Sequence, residues 1–148
     1  MLRELQTKTG KVYDATNKAN VAMVVGMGVV KDYVNGGVEF PAAATDEGVF
    51  FVTKEKVTEG IYAGLGEFSD YDNMFMNIKA GELTKLVSLE KSERYATDQV
   101  TATGLAKGDY LALGTDGKFA KSDTPTKLIY GGTKAVDTHT LHVVEVIA

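Results

Sequence analysis

The chain has 148 residues, the size of one ordinary domain, so a second independent core is not expected. Hydrophobic residues make up 44% of the sequence and charged residues 24%, which suits a globular core and does not suit a disordered chain. The net charge of −4, without any run of Lys and Arg, speaks against nucleic-acid binding, which needs a concentrated cationic surface. The lack of cysteine excludes disulfides, cysteine-ligated zinc and thiol nucleophiles, and it suits assembly in a reducing cytoplasm.

The first 20 residues are polar, rich in Lys and Thr, and lack the periods of 2 and 3.6 that indicate strand and helix. They are either a poorly ordered terminus or an extended arm that becomes ordered against a neighbouring subunit. The anchors of such an arm would be Leu2, Leu5, Val12 and Tyr13. We therefore predict an extended N-terminal arm over residues 1–20 and a single β-rich domain over residues 21–148. Deletion of residues 1–15 is then expected to leave the melting temperature nearly unchanged.

The longest apolar run, residues 21–30, is about half the ~20 residues that cross a bilayer, and two glycines interrupt it. It predicts a buried strand or strand pair, and neither a membrane span nor a signal peptide. The sequence Asn35-Gly36-Gly37 then lies between apolar pairs and predicts a tight hairpin turn, because such turns need positive φ. Residues 49–52 predict a short buried strand.

Residues 64–77 have the composition of a loop but are rich in aromatic residues and Met. A loop of this kind is either folded over the core or reserved for a partner. The second predicted set of partner contacts is therefore Phe68, Tyr71, Met74, Phe75 and Met76. Residues 82–93 fit either an amphipathic helix or an edge strand, and we favour the strand.

The last third of the chain has clearer strand signals. Residues 108–120 predict a hairpin with its turn at Thr115-Asp116-Gly117, and residues 127–130 predict a strand that ends at Gly131-Gly132. Residues 140–147 are rich in β-branched side chains and predict a central strand. Tyr110 and Val144 are expected in the core. Short strands about ten residues apart predict a mainly β fold, a small antiparallel β-sandwich or barrel with at most one short helix.

No motif in the sequence indicates catalysis. The two histidines, His139 and His142, lie in a predicted strand, where positions three apart point to opposite faces, so they cannot hold one metal ion together. Asp70, Asp72 and Asn73 match only the first two ligands of a calcium loop, and an Asx-type turn is favoured. We therefore predict no catalytic residues, no cofactor and no metal, and we expect that the protein is not an enzyme.

The C-terminal half carries a resemblance to a known group of proteins. The segment Arg94-Tyr95-Ala96-Thr97-Asp98-Gln99-Val100 leads into residues 105–113, which contain Gly108-Asp109-Tyr110, and then into Asp116-Gly117-Lys118-Phe119. Over residues 80–148 this progression resembles the head decoration (cement) and related capsid-associated proteins of tailed bacteriophages. The N-terminal half resembles them only in composition, with its polar Thr/Lys arm and its Gly- and Ala-rich short strands.

The resemblance implies a structural virion protein, made in the host cytoplasm and located on the capsid exterior. Its partners would be the major capsid protein, whose subunits it bridges, and further copies of itself, since members of this group are often trimers. Neither nucleic acid nor a membrane is expected as a partner. Three alternatives remain open: another virion component such as a tail or fibre subunit, a carbohydrate-binding β module, and a small hydrolase with carboxylates on distant strands.

Overall fold

A computed structural model describes residues 1–54, 76–136 and 138–148 of the chain. The predicted mainly β class is confirmed: among these residues the sheets are antiparallel, helix is almost absent, and the sheets do not close into a barrel. Within the described residues the strands are β1 (Leu2–Gln6), β2 (Met23–Val24), β3 (Gly28–Lys31), β4 (Val38–Glu39), β5 (Val49–Thr53), β6 (Asn77–Ile78), β7 (Lys85–Ser88), β8 (Arg94–Thr97), β9 (Tyr110–Leu113), β10 (Phe119–Lys121), β11 (Leu128–Val136) and β12 (His139–Val146).

The larger sheet has six strands in the order β1-β8-β12-β11-β9-β10. The predicted hairpin over residues 108–120 is confirmed, with Phe119 opposite Leu113 in the antiparallel pair of β9 and β10. The predicted final strand is also confirmed as a central one, because β12 pairs with β8 on one side and β11 on the other.

The predicted end of a strand at Gly131-Gly132 is wrong, because β11 continues through both glycines to Val136. The register of β11 against β12 shifts between Tyr130 and Gly132, and Gly132 has a φ of 95°. A side chain at Gly131 would meet the Glu145 carboxylate at 2.6 Å. The glycines therefore form a β-bulge inside a long strand, which composition alone does not distinguish from a strand end.

The smaller sheet has four strands in the order β4-β3-β5-β7, and a separate pair is formed by β2 and β6. The apolar run at residues 21–30 forms two short strands, β2 and β3, which belong to different sheets and do not pair with each other. The turn between β3 and β4 lies at the predicted glycines, since Gly36 and Gly37 have φ values of 82° and 87°. The strand interpretation of residues 82–93 is confirmed by β7.

The main core lies between the two sheets, so the arrangement is sandwich-like. At its centre the Phe51 ring lies 5.1 Å from that of Tyr95 and 5.0 Å from that of Phe119, centroid to centroid. A second core covers the other face of the smaller sheet, and a third covers the outer face of the larger sheet. Within the described residues no helix has the length and apolar character needed to cross a membrane.

Substitutions in the main core should separate buried from exposed strand positions. Phe51→Ala is expected to cost about 3–5 kcal/mol, because the ring is fully buried against Tyr95 and Phe119. Val144→Ala, also fully buried, is expected to cost about 2 kcal/mol. Tyr110 was expected in the core but is 36% exposed, so Tyr110→Ala should cost no more than about 1 kcal/mol. Urea denaturation of the three variants measures these differences, and equal losses would contradict the strand orientations.

The N-terminal residues predicted as an arm are extended, and they pack on the chain's own sheets. Strand β1 pairs with β8, with Leu2 opposite Thr97. Met1 is only 2% exposed, and its amino group bonds to the Asp98 carboxylate at 2.5 Å and to the Val25 carbonyl at 2.9 Å. The first six residues are therefore part of the fold.

Residues 14–20 continue this packing along the smaller sheet. Isolated bridges join Asp14 to Leu86 and Lys18 to Leu83 near β7, and a further bridge joins Ala19 to Val38 in β4. The segment thus contacts both edge strands of the four-stranded sheet. Covering exposed strand edges in this way satisfies their backbone groups and blocks unwanted pairing with other chains.

Candidate interaction surface

The predicted partner contacts divide into three groups. Leu2 and Tyr13 are partly buried against the main core, and Leu5 and Met76 pack against the cluster on the outer face of the larger sheet. Val12 is 84% exposed and free to meet a partner. The other predicted contacts, Phe68, Tyr71, Met74 and Phe75, lie outside the described residues, as does the calcium-like set Asp70, Asp72 and Asn73.

The most exposed large apolar side chains of the described residues lie at the turn between β3 and β4. Tyr33 is 86% exposed and Val34 is 91% exposed. Turns are normally built from small polar residues, so two adjacent large apolar side chains at this position are not required by turn geometry. Their exposure needs another explanation.

Hydrogen bonds from the polar residues of this turn fix its conformation. One carboxylate oxygen of Asp32 accepts the backbone N–H groups of Val34 and Asn35, both at 2.9 Å, and the other accepts the Asn35 amide at 3.0 Å. These bonds, the Asn35 backbone N–H first among them, hold the pKa of Asp32 below its ordinary value. The Gly36 N–H also donates to the Asp32 carbonyl at 3.0 Å. The turn therefore presents Tyr33 and Val34 in a defined geometry.

A polar hollow of about 320 Å³ lies beside the turn. Each of three amide side chains at the hollow donates one N–H within the chain, which fixes the orientation of the amide. The three bonds run from Asn17 to Asp14 at 2.9 Å, from Asn20 to the Gly36 carbonyl at 3.0 Å, and from Asn35 to Asp32 at 3.0 Å. The lining residues are Thr16, Asn17, Lys18, Asn20, Asn35, Gly36 and Gly37.

Lys18 is the cation of this hollow, and within the described residues it forms no ion pair. Neighbouring lysines differ in this respect: Lys31 pairs with Asp14 at 2.6 Å, and Lys54 pairs with Glu82 at 3.2 Å.

Two further exposed apolar residues are neighbours of residues that line the hollow. Leu83, bridged to Lys18, is 57% exposed, and Val21, which follows Asn20 in the chain, is 39% exposed. The Asp14 and Asp32 carboxylates, which accept the Asn17 and Asn35 amides, lie at the same hollow. We call the set of Val21, Tyr33, Val34, Leu83 and the residues that line the hollow the hairpin-tip surface.

The most buried titratable cluster in the part of the chain that the structure describes lies elsewhere and links the N-terminal segment to the sandwich. The Lys11 ammonium donates to the Glu93 carboxylate, to the Tyr95 hydroxyl and to the Ser88 carbonyl. The Tyr95 hydroxyl also donates to Glu93 at 2.7 Å. The Lys11 and Glu93 side chains are only 3% and 1% exposed, so the three charged or polar groups satisfy one another out of reach of a substrate. The cluster serves the fold.

Burial alone would raise the pKa of Glu93. Hydrogen bonds from Lys11 and Tyr95, together with the backbone N–H groups of Lys8 and Glu90, outweigh burial and hold that pKa below its ordinary value. Burial and the Glu93 carboxylate both raise the pKa of Tyr95. The lowered pKa keeps Glu93 ionised, and the raised pKa keeps Tyr95 neutral.

His142 is a partly buried titratable group in β12. Its Nδ1 lies 2.9 Å from the Tyr130 hydroxyl, and burial lowers its pKa while the Asp98 carboxylate acts in the opposite direction. His139 is exposed at the start of the same strand. Among the described residues no three His, Asp or Glu side chains converge on a position where a metal ion could bind.

The comparisons with known proteins give no relative for this chain. No family model, no curated protein and no solved structure matches it. The hairpin-tip surface was missed by the sequence interpretation, although Tyr33 and Val34 stand directly before the predicted Asn35-Gly36-Gly37 turn. A pair of large apolar residues inside a predicted turn was the signal that could have found it.

Proposed function

We propose that this protein is a structural component of a tailed-phage virion that binds the outside of the capsid and bridges neighbouring major capsid subunits. It is made in the host cytoplasm and associates with itself, as a trimer, on the capsid exterior. In this function it makes and breaks no covalent bonds, and it binds neither nucleic acid nor a membrane. The resemblance over residues 80–148 supports the proposal, and the mainly β fold is compatible with it.

The observation that carries the proposal is the exposure of Tyr33 and Val34 on a rigid turn. Exposed apolar groups of this kind are typical of protein interaction sites, and Tyr is enriched among the residues that dominate binding energy. A turn that is already fixed loses little conformational entropy on binding. The surface is thus suited to contact with another protein.

The proposed stabilisation is a linkage effect. A protein that binds only the assembled lattice adds its binding free energy to the stability of that lattice at every occupied site. At a free concentration 100 times the dissociation constant the gain is about 2.7 kcal/mol per site. Bridging adds to this, because a molecule already held by one subunit meets the next at a high effective concentration.

Empty capsid shells assembled from the major capsid protein of the same genome provide the test. The protein is expected to sediment with expanded shells and to raise their melting temperature in calorimetry, in proportion to site occupancy. Unexpanded shells and an unrelated protein of similar size are the controls. Absence of co-sedimentation at all protein concentrations would overturn the proposal, and binding to purified tails alone would favour a tail or fibre role.

A carbohydrate-binding module is the second candidate, and one observation favours it. Exposed Tyr33 lies in the turn that borders a hollow lined by three oriented amide side chains, and aromatic rings with planar amides are groups that suit sugar recognition. A glycan array decides between the candidates. Binding of a defined glycan by the wild-type protein, lost in Tyr33→Ala, would support the module. A blank array together with shell binding would support the structural role.

A further inference from the structure

The turn between β3 and β4 contains the only asparagine of the sequence that precedes a glycine, Asn35-Gly36. Both residues are exposed, and Gly36 has a φ of 82° with open space around the position of a Cβ atom. We infer that Asn35 is a site of spontaneous chemical modification, at which the side-chain amide is lost as ammonia and replaced by a carboxylate, and that this change loosens the turn. The chemistry needs only water and does not depend on the proposed function.

The reaction is an attack of the chain on itself. The Gly36 N–H first leaves the Asp32 carbonyl, 3.0 Å away, and in an exposed turn such local opening costs little free energy. The Gly36 nitrogen then bonds to the side-chain carbonyl carbon of Asn35, the bond from that carbon to the amide nitrogen breaks, and the Gly36 proton leaves with that nitrogen as ammonia. Water opens the resulting succinimide ring at either carbonyl carbon. One opening gives Asp, and the other gives isoaspartate, in which the main chain runs through the side-chain methylene.

The residue that follows each asparagine separates Asn35 from the other amides at the hollow. The amides of Asn17, Asn20 and Asn35 each donate one N–H within the chain and are held in a similar way. Asn20 is exposed like Asn35, but it precedes Val21, whose branched Cβ crowds its own backbone nitrogen. Glycine has no Cβ and the widest range of backbone conformations, so its nitrogen can reach the amide carbon.

The product cannot take over the role of the Asn35 amide in the turn. That amide donates to the Asp32 carboxylate at 3.0 Å, whereas an ionised carboxylate has no hydrogen to donate and repels Asp32. Isoaspartate also lengthens the main chain by one atom between β3 and β4, which pair across the turn with Lys31 opposite Val38. Both products are therefore expected to open the turn that presents Tyr33.

Incubation of the full-length protein at mildly alkaline pH, followed by peptide mapping with mass spectrometry, tests the site. Asn35 is expected to convert before Asn17 and Asn20, with one negative charge added to the net charge of −4 and with isoaspartate among the products. Gly36→Ala is expected to slow the conversion at least about 10-fold, which corresponds to about 1.4 kcal/mol on the barrier. Conversion of Asn35 no faster than that of Asn20, or at an undiminished rate in Gly36→Ala, would overturn the inference.

Val21→Gly is the matched control at the same hollow, because it gives Asn20 a glycine as its next residue. Asn20 is then expected to convert at a rate that approaches the rate of Asn35. An Asn20 that stays unreactive in this variant would contradict the role given to the following residue. The space around Gly36 accommodates a methyl group, and thermal melts check that both variants fold.

Cleavage after Tyr33 by a protease specific for aromatic residues tests the loosening of the turn. Asn35→Asp supplies the carboxylate without the longer main chain. This variant and the incubated wild type are expected to be cut after Tyr33 at least about twofold faster than fresh wild type, because cleavage follows the population of the opened turn. Cleavage after Tyr110 in β9 reports unfolding of the whole domain and should not change. Equal rates after Tyr33 in all three proteins would show that the modified turn stays closed and would overturn this part of the inference.

Discussion

Deletion of residues 1–15 is expected to unfold the domain or to lower its melting temperature by more than about 15 °C. The deletion removes buried Met1 and the β1 strand, and it removes Lys11 from beside the buried Glu93 carboxylate. An unpaired buried charge alone costs about 3–5 kcal/mol. Loss of the Met1 side chain adds about 1.5–3 kcal/mol. The sum approaches the whole stability of an ordinary domain, about 5–15 kcal/mol.

Circular dichroism melts of the full-length and shortened proteins measure this effect. Val12→Ser in the full-length chain is the control, because Val12 belongs to the same segment but is 84% exposed, and its change should stay within about 0.5 kcal/mol. A shortened protein that melts within about 2 °C of the full-length one would contradict this expectation and support the separate N-terminal arm that the sequence predicts.

The N-terminal segment shows why its packing could not be predicted from sequence. Its buried side chains follow no period: Met1 and Ala19 are buried, while Leu5 and Tyr13 are partly buried. A period-based method finds neither strand nor helix there. The segment is also held by a buried lysine, which composition places at the surface. The partner that makes this burial possible, Glu93, is 82 positions further along the chain.

Elements with local signals were predictable. Glycines between two apolar runs are enough to predict the turn at Gly36 and Gly37 and the hairpin of β9 and β10, because tight turns need residues that adopt positive φ. The bulge in β11 was missed because Gly131-Gly132 has the same composition as a turn. Only the cross-strand partner, β12, shows that pairing continues through it.

The candidate surface depended on tertiary structure in the same way. Tyr33 and Val34 are adjacent in sequence, but Lys18 and Leu83 are brought together only by the bridge that residues 14–20 make near β7. The sequence interpretation selected Leu2, Leu5, Tyr13 and Met76 for their apolar character. That character serves the chain's own cores, and exposure cannot be read from residue type.

Glu93→Ala is expected to destabilise the domain by about 3–5 kcal/mol, because it leaves the Lys11 ammonium buried without its counterion. Lys11→Met should cost a similar amount for the opposite reason, leaving the carboxylate alone. The double variant Lys11→Met with Glu93→Ala removes both charges and should lose clearly less than the sum of the two single losses. The loss that remains reflects the Tyr95 hydroxyl and the backbone N–H groups of Lys8 and Glu90, which no longer have the carboxylate as acceptor. Urea denaturation of the three proteins gives the coupling energy, and additive losses would contradict a mutually compensating pair.

The pH dependence of stability separates an effect of charge from a loss of packing. Only an effect of charge changes the stability difference between variant and wild type as the pH changes. In the wild type the pKa of Glu93 is held below its ordinary value of 4.5, so the stability it contributes is present above pH 4.5 and is lost as the pH falls through the lowered pKa. In Lys11→Met the lowering effect of the Lys11 hydrogen bond is lost, so the pKa of Glu93 should rise relative to the wild type. That variant should therefore gain stability relative to the wild type as the pH is lowered from 7 through the raised pKa of Glu93, whereas the double variant should show neither trend at this site. If Lys11→Met and the wild type lose stability in parallel over this range, Glu93 is not the group whose charge Lys11 compensates.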